Sequence, residues 1–512
     1  MTDAAGAHTI GRWLHDRAVS DPARVAVDDR GVRTDYRALA ARVTRLAERL
    51  SDAGYGAGQR VATISGNSTD QVVVFFACAQ LGIALVPLSW RLTPTELADL
   101  ISRTGPDLLL IEDEHAALAS AALENIADAP VHAALGVAGV EAEAPAARES
   151  AHRRAARDTD PLLVIYTSGS EAAPKGVVLT HENCFWNNLA LDRAMPLDAD
   201  DVVLAMLPQY HVAAWNVQPL QAWWRGATVV LERGFDPGRV LQLIADRGVT
   251  AMMGVPTQYR MLQQHPLWES ADLTALNRVV VGGATIPEDL VRTWATRGLA
   301  FTQGYGLTEA GPNVLHLAAD LVAAHPGAVG RPYPGVDVRI TDPETGLELQ
   351  GAATGELWVR GASVFAGYLD DHEATQRAMH GEWLRTGDLV HRDADGIHRV
   401  VDRLKDIYVS GGENVAPAEV ERAFAAHPLV AECAVVGVPD PVWGERGVAF
   451  IVPGGPVSRE ELRAFAAERL ATFKLPSRIE FLDELPRSTI EKVARARLRR
   501  MALREEHQDA AH

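Results

Sequence analysis

The chain has 512 residues, 47% hydrophobic and 23% charged, enough apolar material for two or three domains with a sizeable core. Its formal net charge of -18 argues against a nucleic-acid partner, because phosphate backbones are bound by clustered positive charge. The 3 cysteines, Cys78, Cys184 and Cys433, form no C-x-x-C pair, which suits a reducing cytoplasm and argues against a structural zinc; no metal-ligand cluster is visible.

The first residues, MTDAAGAHTI, lack a basic region followed by an apolar run, so no secretory signal is expected. Apolar spacing predicts a helix over 34–53, a strand over 61–64 and a second helix from Thr69. The most apolar stretch, 72–88, is interrupted by Gln80, Gly82 and Pro87 and is too short for a membrane span. Thr93-Pro94-Thr95-Glu96 is a capping box with proline at the first helical position, and it opens a helix before a strand over 108–111. The Ala- and Glu-rich segment 116–158 has no clear period and reads as surface helix or loop. Strands over 202–206, 228–232, 250–253 and 278–281 then alternate with helices over 217–224, from Asp236 and from Pro256. Such alternation implies parallel sheets that bind ligands at the carboxyl ends of their strands. From 328 to 400 short strands with Gly and Pro turns read as a small β-barrel or sheet. Helices over 417–427 and 459–470, with strands over 434–438 and 448–452, make a small terminal α+β domain. No internal repeat is visible.

One stretch carries a chemical signature. Residues 166–177 read YTSGSEAAPKGV, after an apolar run over 161–165 and before a helix start at Thr180. Strand, hydroxyl-rich loop and helix together would cradle phosphate, with Thr167, Ser168, Gly169 and Ser170 around the oxygens and Lys175 as a mobile positive charge. The loop is not a Walker motif, because the glycine spacing and the terminal Gly-Lys-Ser/Thr are missing.

The loop resembles the TSGTTGxPKG signature of the adenylate-forming superfamily, which holds acyl- and aryl-CoA synthetases, peptide-synthetase adenylation domains and firefly luciferase. Further segments resemble that family in the same order: VGGATIP from Val281, QGYGLTEAG from Gln303, GELWVRG from Gly355, WLRTGDL from Trp383, VDRLKDIYVSGGENVAPAEVE from Val401 and LPRSTIEKV from Leu485. The resemblance implies an α/β fold with a large N-terminal domain of doubly wound sheets plus a small β-barrel over 1–402, and a small mobile α+β domain over 403–512. It implies ATP and Mg2+ as cofactors and CoA as co-substrate. Tyr305 then faces adenine, Gly283 and Ala284 let the ring approach the backbone, and Thr308 and Glu309 serve the α-phosphate and magnesium. Asp388 accepts ribose hydroxyls, Arg403 reaches ribose or phosphate, and Lys492 is the catalytic lysine that bridges carboxylate and α-phosphate. Lys405 is the hinge, and Gly411 and Gly412 line the acceptor tunnel.

The acid pocket is expected between the helix after Pro208 and the strand ends near Gly282, Gln303 and Gly304. His211, Trp215, Asn216, Gln218, Gln258 and Tyr259 fall there, a mixture that suggests a small aromatic or polar substrate. Three positions depart from the family pattern. Glu171 and Ala172 replace a Thr and a Gly in the phosphate loop, and Glu491 replaces a Gly beside Lys492.

The expected activity is therefore an AMP-forming ligase that joins a small aryl or short acyl acid to CoA. Three alternatives stay open: a diazotase that activates nitrite for attack by an aryl amine, an acyl-carrier-protein ligase, and a non-catalytic nucleotide-binding scaffold. The partners are a small-molecule acid or nitrite and a thiol or amine acceptor, without nucleic acid or membrane. The oligomeric state is left open, with a homodimer among the options.

Overall fold

The computed structural model describes residues 6–151, 153–167, 174–410, 412–487 and 493–509. The readings placed on Ser168, Gly169, Ser170, Glu171, Ala172, Gly411, Glu491 and Lys492 lie outside the described residues. By its contacts the chain divides into two units, Met1–Val338 with Trp358–Arg385 and Arg339–Leu357 with Thr386–His512.

The first unit holds two large sheets. In one, Val25–Asp29, Thr228–Leu231, Val202–Ala205, Ala251–Gly254, Arg278–Val281 and Phe301–Tyr305 run parallel in that order. Antiparallel strands Val32–Asp35, Leu315–Leu317 and Arg331–Pro332 finish its edges. In the other, His132–Ala134, Leu108–Ile111, Arg60–Ile64, Ala84–Leu88 and Pro161–Thr167 run parallel. Lys175–Thr180 and Gly367–Tyr368 add to it antiparallel. The parallel strands are near-continuous apolar runs because helices cover them, and Ala62, Ile64, Val86, Leu88, Leu109 and Val164 pack with Leu97, Leu100 and Ile101 of the helix Pro94–Thr104.

The local signals explain the helix starts. Thr93 accepts from the Glu96 amide while Glu96 reaches back to the Thr93 amide, so both halves of the capping box form. Asp35 caps Tyr36–Asp52, Ser68 caps Thr69–Leu81, Thr180 caps His181–Ala194 and Asp236 caps Pro237–Arg247.

Three expectations need correction. Lys175 does not lead directly into a helix: it begins a strand that pairs back on Pro161–Thr167, and the helix starts at that strand's far end. The segment after 116 contains an edge strand, His132–Ala134, besides its helix. The helix expected over 217–224 begins two residues later, as Pro219–Arg225, because Pro219 opens its first turn, and a separate short helix, Ala213–Asn216, precedes it.

A five-stranded sheet built on Asp337–Thr341, Ala353–Arg360 and Trp383–Arg392 has its strands cut by the division between the units. The second unit carries its own five-stranded sheet, with Gly444–Pro453 between Val430–Asp440 and Tyr408–Ser410 and flanked by Arg478–Phe481. The helices Pro417–Ala425 and Arg459–Ala467 bury Val420, Phe424, Leu462 and Ala466 against Val435, Ala449 and Ile451. Among the described residues no helix is long and apolar enough to cross a membrane.

Candidate active site

Thr167 and Lys175 face each other across an antiparallel pair at the ends of their strands, so the register sets the threonine hydroxyl and the lysine on either side of the intervening segment. Lys175 Nζ lies 5.3 Å from the centroid of the Tyr368 ring, a cation–π contact. The Tyr368 hydroxyl donates to Glu309 Oε1 at 2.9 Å. Tyr368 is held by its strand pairing to Val177 and by donation of its amide to Thr375 Oγ1 at 2.9 Å. Sequence reasoning missed this tyrosine, because it stands 59 residues from Glu309 and belongs to no signature stretch.

Thr308 and Glu309 occupy a 3₁₀ turn, Thr308–Ala310, just after the strand that ends at Tyr305. The Phe365 amide donates to the Glu309 carbonyl at 2.9 Å. Gly306 is required at the entrance, since a Cβ there would stand 1.4 Å from the Pro312 carbonyl oxygen. Behind the turn lies a buried amide network. Asn216 Nδ2 donates to the Gly311 carbonyl at 2.7 Å, and the Asn216 carbonyl accepts from Asn187 Nδ2 at 2.7 Å and Asn313 Nδ2 at 3.0 Å. Asn183 Nδ2 donates to the carbonyls of Ala362 and Val364, both at 2.8 Å. Asparagines on helix His181–Ala194 thus pin two loops beside the Glu309 turn.

Several residues expected to line the acid pocket make bonds within the fold. Trp215 is fully buried, stacks on Phe75 at 4.6 Å and donates Nε1 to the Gln209 carbonyl at 2.6 Å. Asn216 is spent on the network just described. Gln303 is 1% exposed; its Oε1 accepts from the Ile286 amide at 3.0 Å, and its Nε2 faces the carbonyls of Val281, Ala284 and Gly304 at 3.0–3.3 Å. It therefore shapes the turn carrying Gly283 and Ala284, both exposed. Gln258 accepts from the Val255 amide, and Tyr259 donates to the Val280 carbonyl at 2.6 Å. His211 packs edge-on against Tyr210 at 4.5 Å. Gly282 directly follows Val281 and Gly304 lies within Phe301–Tyr305, at the carboxyl-end side of adjacent parallel strands, with Gly282 buried and Gly304 half-buried. A Cβ on Gly282 would sit 3.0 Å from Met253 Cε, so this methionine, also missed, packs against the strand end there.

The second unit carries Asp388, 3% exposed, whose Oδ1 lies 2.7 Å from Arg403 Nε. Both stand opposite each other in the pairing of Trp383–Arg392 with His398–Arg403. Lys405 is exposed, and Gly412 is an exposed turn residue with φ +87° before Glu413–Val415.

The donor set at Glu309 fits magnesium: a carboxylate oriented by a phenolic hydroxyl and a neighbouring threonine hydroxyl are hard oxygen ligands. Elsewhere, contrary to the sequence expectation, Glu112, Glu114 and His115 bring ligand atoms within 4.8 Å of one another. Arg233 pairs with both carboxylates, and His115 stacks on Trp90 at 5.3 Å, so an internal cation already holds that cluster.

The AMP-binding enzyme family matches residues 14–369, and its C-terminal domain matches residues 419–492. The chain belongs to this family. A feruloyl-CoA synthase from an Amycolatopsis species is 40% identical over 493 residues, covering 96% of this chain and 98% of the relative. An indoleacetate–CoA ligase from Aromatoleum aromaticum is 34% identical, covering 97% and 98%. Among solved structures, the o-succinylbenzoate CoA synthetase of Bacillus subtilis in complex with its acyl-adenylate intermediate superposes with a TM-score of 0.85, at 28% identity, covering 97% and 98%. The chain is therefore an ATP-dependent, AMP-forming ligase of the acyl- and aryl-CoA synthetase kind.

Proposed function

We propose that the chain activates an aryl carboxylic acid with ATP as the acyl-adenylate and passes the acyl group to CoA. The Lys175–Tyr368–Glu309 constellation carries the reading, since it holds a cation and a metal-binding carboxylate on one aromatic side chain at the strand ends. The aryl class is supported by the names of the feruloyl and indoleacetate relatives. In the first half-reaction a carboxylate oxygen of the acid attacks the α-phosphorus and pyrophosphate leaves; in the second, the CoA thiolate attacks the acyl carbonyl and AMP leaves.

Lys175 and the Thr167 hydroxyl offset and orient the phosphates, and Tyr305 offers its face to adenine. Glu309 and Thr308 would hold magnesium, which supplies charge neutralisation at the phosphates. Asp388 and Arg403 take the ribose, and Lys492 bridges the two reacting anions. A division at 402/403, with Lys405 as hinge, lets the small domain present Lys492 first and the acceptor tunnel at Gly411 and Gly412 second.

The test is pyrophosphate release from ATP and Mg2+ with ferulate, indoleacetate, benzoate, acetate and nitrite, each with and without CoA or an aryl amine. Release with an aryl acid followed by a CoA thioester is expected. Release with nitrite that consumes the amine, or silence across the panel, overturns the reading.

A further inference from the structure

Arg495 opens the helix Arg495–Asp509 in the second unit, and its guanidinium touches three other segments. Nη1 donates to Glu421 Oε1 at 2.6 Å and to the Val435 carbonyl at 2.7 Å, and Nη2 donates to Glu421 Oε2 at 2.9 Å. Glu421 Oε1 also accepts from the Val435 amide at 2.7 Å, which closes a junction between helix Pro417–Ala425 and strand Val430–Asp440. Nε lies 3.8 Å from Asp406 Oδ2, next to Lys405. Burial alone would lower the pKa of this guanidinium, yet the Glu421 bonds and charge, with Asp406 and Asp402 behind them, raise it on balance. A half-buried bidentate pair of this kind is geometrically strict, because the planar fork fits the carboxylate in one orientation.

The clamp sits where two functional segments meet. Arg487 and Val493 pair antiparallel, the Ala494 amide donates to the Pro486 carbonyl at 2.7 Å, and Arg487 Nη2 lies 2.7 Å from Glu432 Oε1. Both flanks of the segment that contains Lys492 are thus tied to Val430–Asp440, one at Glu432 and the other at Val435. On the opposite side, Asp402 Oδ2 accepts from the Ala418 amide at 2.8 Å, so the strand leading to Lys405 holds the start of the helix that bears Glu421.

We propose that Arg495 is a positioning residue that fixes the Lys492 segment to helix Pro417–Ala425 and, through Asp406, to the hinge segment, so that Lys492 is delivered to the adenylation reaction as part of one rigid body. This rests on the proposed roles of Lys492 and Lys405. Arg495 touches no substrate; it acts by denying the lysine segment the freedom to miss its target.

The test is a half-reaction comparison in Arg495→Lys, which keeps the charge and loses the fork, and in Glu421→Gln, which keeps the shape and loses the charge. The acid is whichever of the panel above turns over fastest, with its presynthesised adenylate for the second half. Adenylation kcat is expected to fall about 10- to 100-fold, the scale of a small misplacement of a catalytic group. The KM for ATP, the KM for the acid and the rate of thioester formation from the adenylate should stay near wild type. Amide exchange at the flanks, Arg487 and Val493–Arg495, should accelerate without change in the helix Arg459–Ala467.

Equal loss in both half-reactions, or unchanged adenylation and exchange, overturns the proposal, and either variant suffices if the other does not fold. Lys492→Ala run alongside separates the layers. Adenylation retained by Lys492→Ala removes the reading of the lysine, whereas adenylation lost there but intact in the Arg495 and Glu421 variants removes only the clamp.

Discussion

Tyr368 binds Glu309 through its hydroxyl at 2.9 Å and carries Lys175 5.3 Å from its ring centroid, so one side chain sets the spacing between the site's anion and its cation. Tyr368→Phe keeps the ring and the lysine contact while releasing the carboxylate. Partners that orient a metal ligand usually cost 10–100-fold when removed. The Mg2+ concentration for half-maximal pyrophosphate release is therefore expected to rise about tenfold, with the acid's KM unchanged. A Mg2+ titration superimposable on wild type would show that Glu309 is oriented by other means.

What the sequence made legible follows from how local the cause is. Thr93 with Glu96, Asp236 with Pro237 and Thr180 announce helix starts because their bonds close within a turn, and all three stand where expected. Lys175–Thr180 was hidden because its partner strand, and not its own short apolar run, makes it a strand. The hairpin Val25–Asp29 to Val32–Asp35 was missed because its turn uses Arg30 and Gly31, at φ 53° and 94°, in place of Asn-Gly. The family signature placed Glu309 and Lys175 on the page as separate residues, but their link through Tyr368 is a long-range contact with no periodic trace. Trp215, Asn216 and Gln303 fall by position in the expected pocket, but their burial and the backbone carbonyls their N–H groups bond are facts of the folded chain with no trace in the sequence.

The amide network gives a stability prediction. Asn216→Ala removes the donor to the Gly311 carbonyl but leaves the Asn216 carbonyl to accept from Asn187 and Asn313. It also removes Asn216 Oδ1, a buried acceptor without a hydrogen-bond partner among the described residues, which offsets part of the loss. A net destabilisation of about 1–2 kcal/mol is expected from urea unfolding. Because Gly311 follows the Thr308–Ala310 turn, kcat should fall as well; loss of stability with full activity would separate the network from the site.

Acid sensitivity should centre on His181. Its ring is fully buried, and Nδ1 accepts from the Ile10 amide at 3.1 Å, which requires the neutral form. Burial lowers its pKa from 6.5 to about 4, against opposing pulls from Asp160 and Asp158. A histidine whose folded pKa is depressed gives stability that is complete above pH 6.5 and is lost as pH falls through 4, a total of about 3 kcal/mol. Asp160, whose own pKa is lowered, titrates below that window. Urea midpoints between pH 7 and pH 4 should decline more steeply in wild type than in His181→Gln, and parallel curves would exclude His181 as the cause.

The strand-end glycines make the substrate class testable. A methyl at Gly282 would approach Met253 Cε to 3.0 Å and the Gly304 carbonyl oxygen to 3.7 Å, and the methionine tip is the part able to yield. Gly282→Ala should then narrow the site for a ring while sparing a two-carbon acid. One methylene in an apolar pocket is worth about 10–200-fold, so kcat/KM for ferulate is expected to drop by about tenfold or more relative to acetate. Adding Met253→Ala returns the lost volume and should recover most of the ferulate activity. Equal losses for both acids would mean that Gly282 matters for the backbone of its turn, whereas failure of Met253→Ala to rescue would place the aryl ring away from these strand ends.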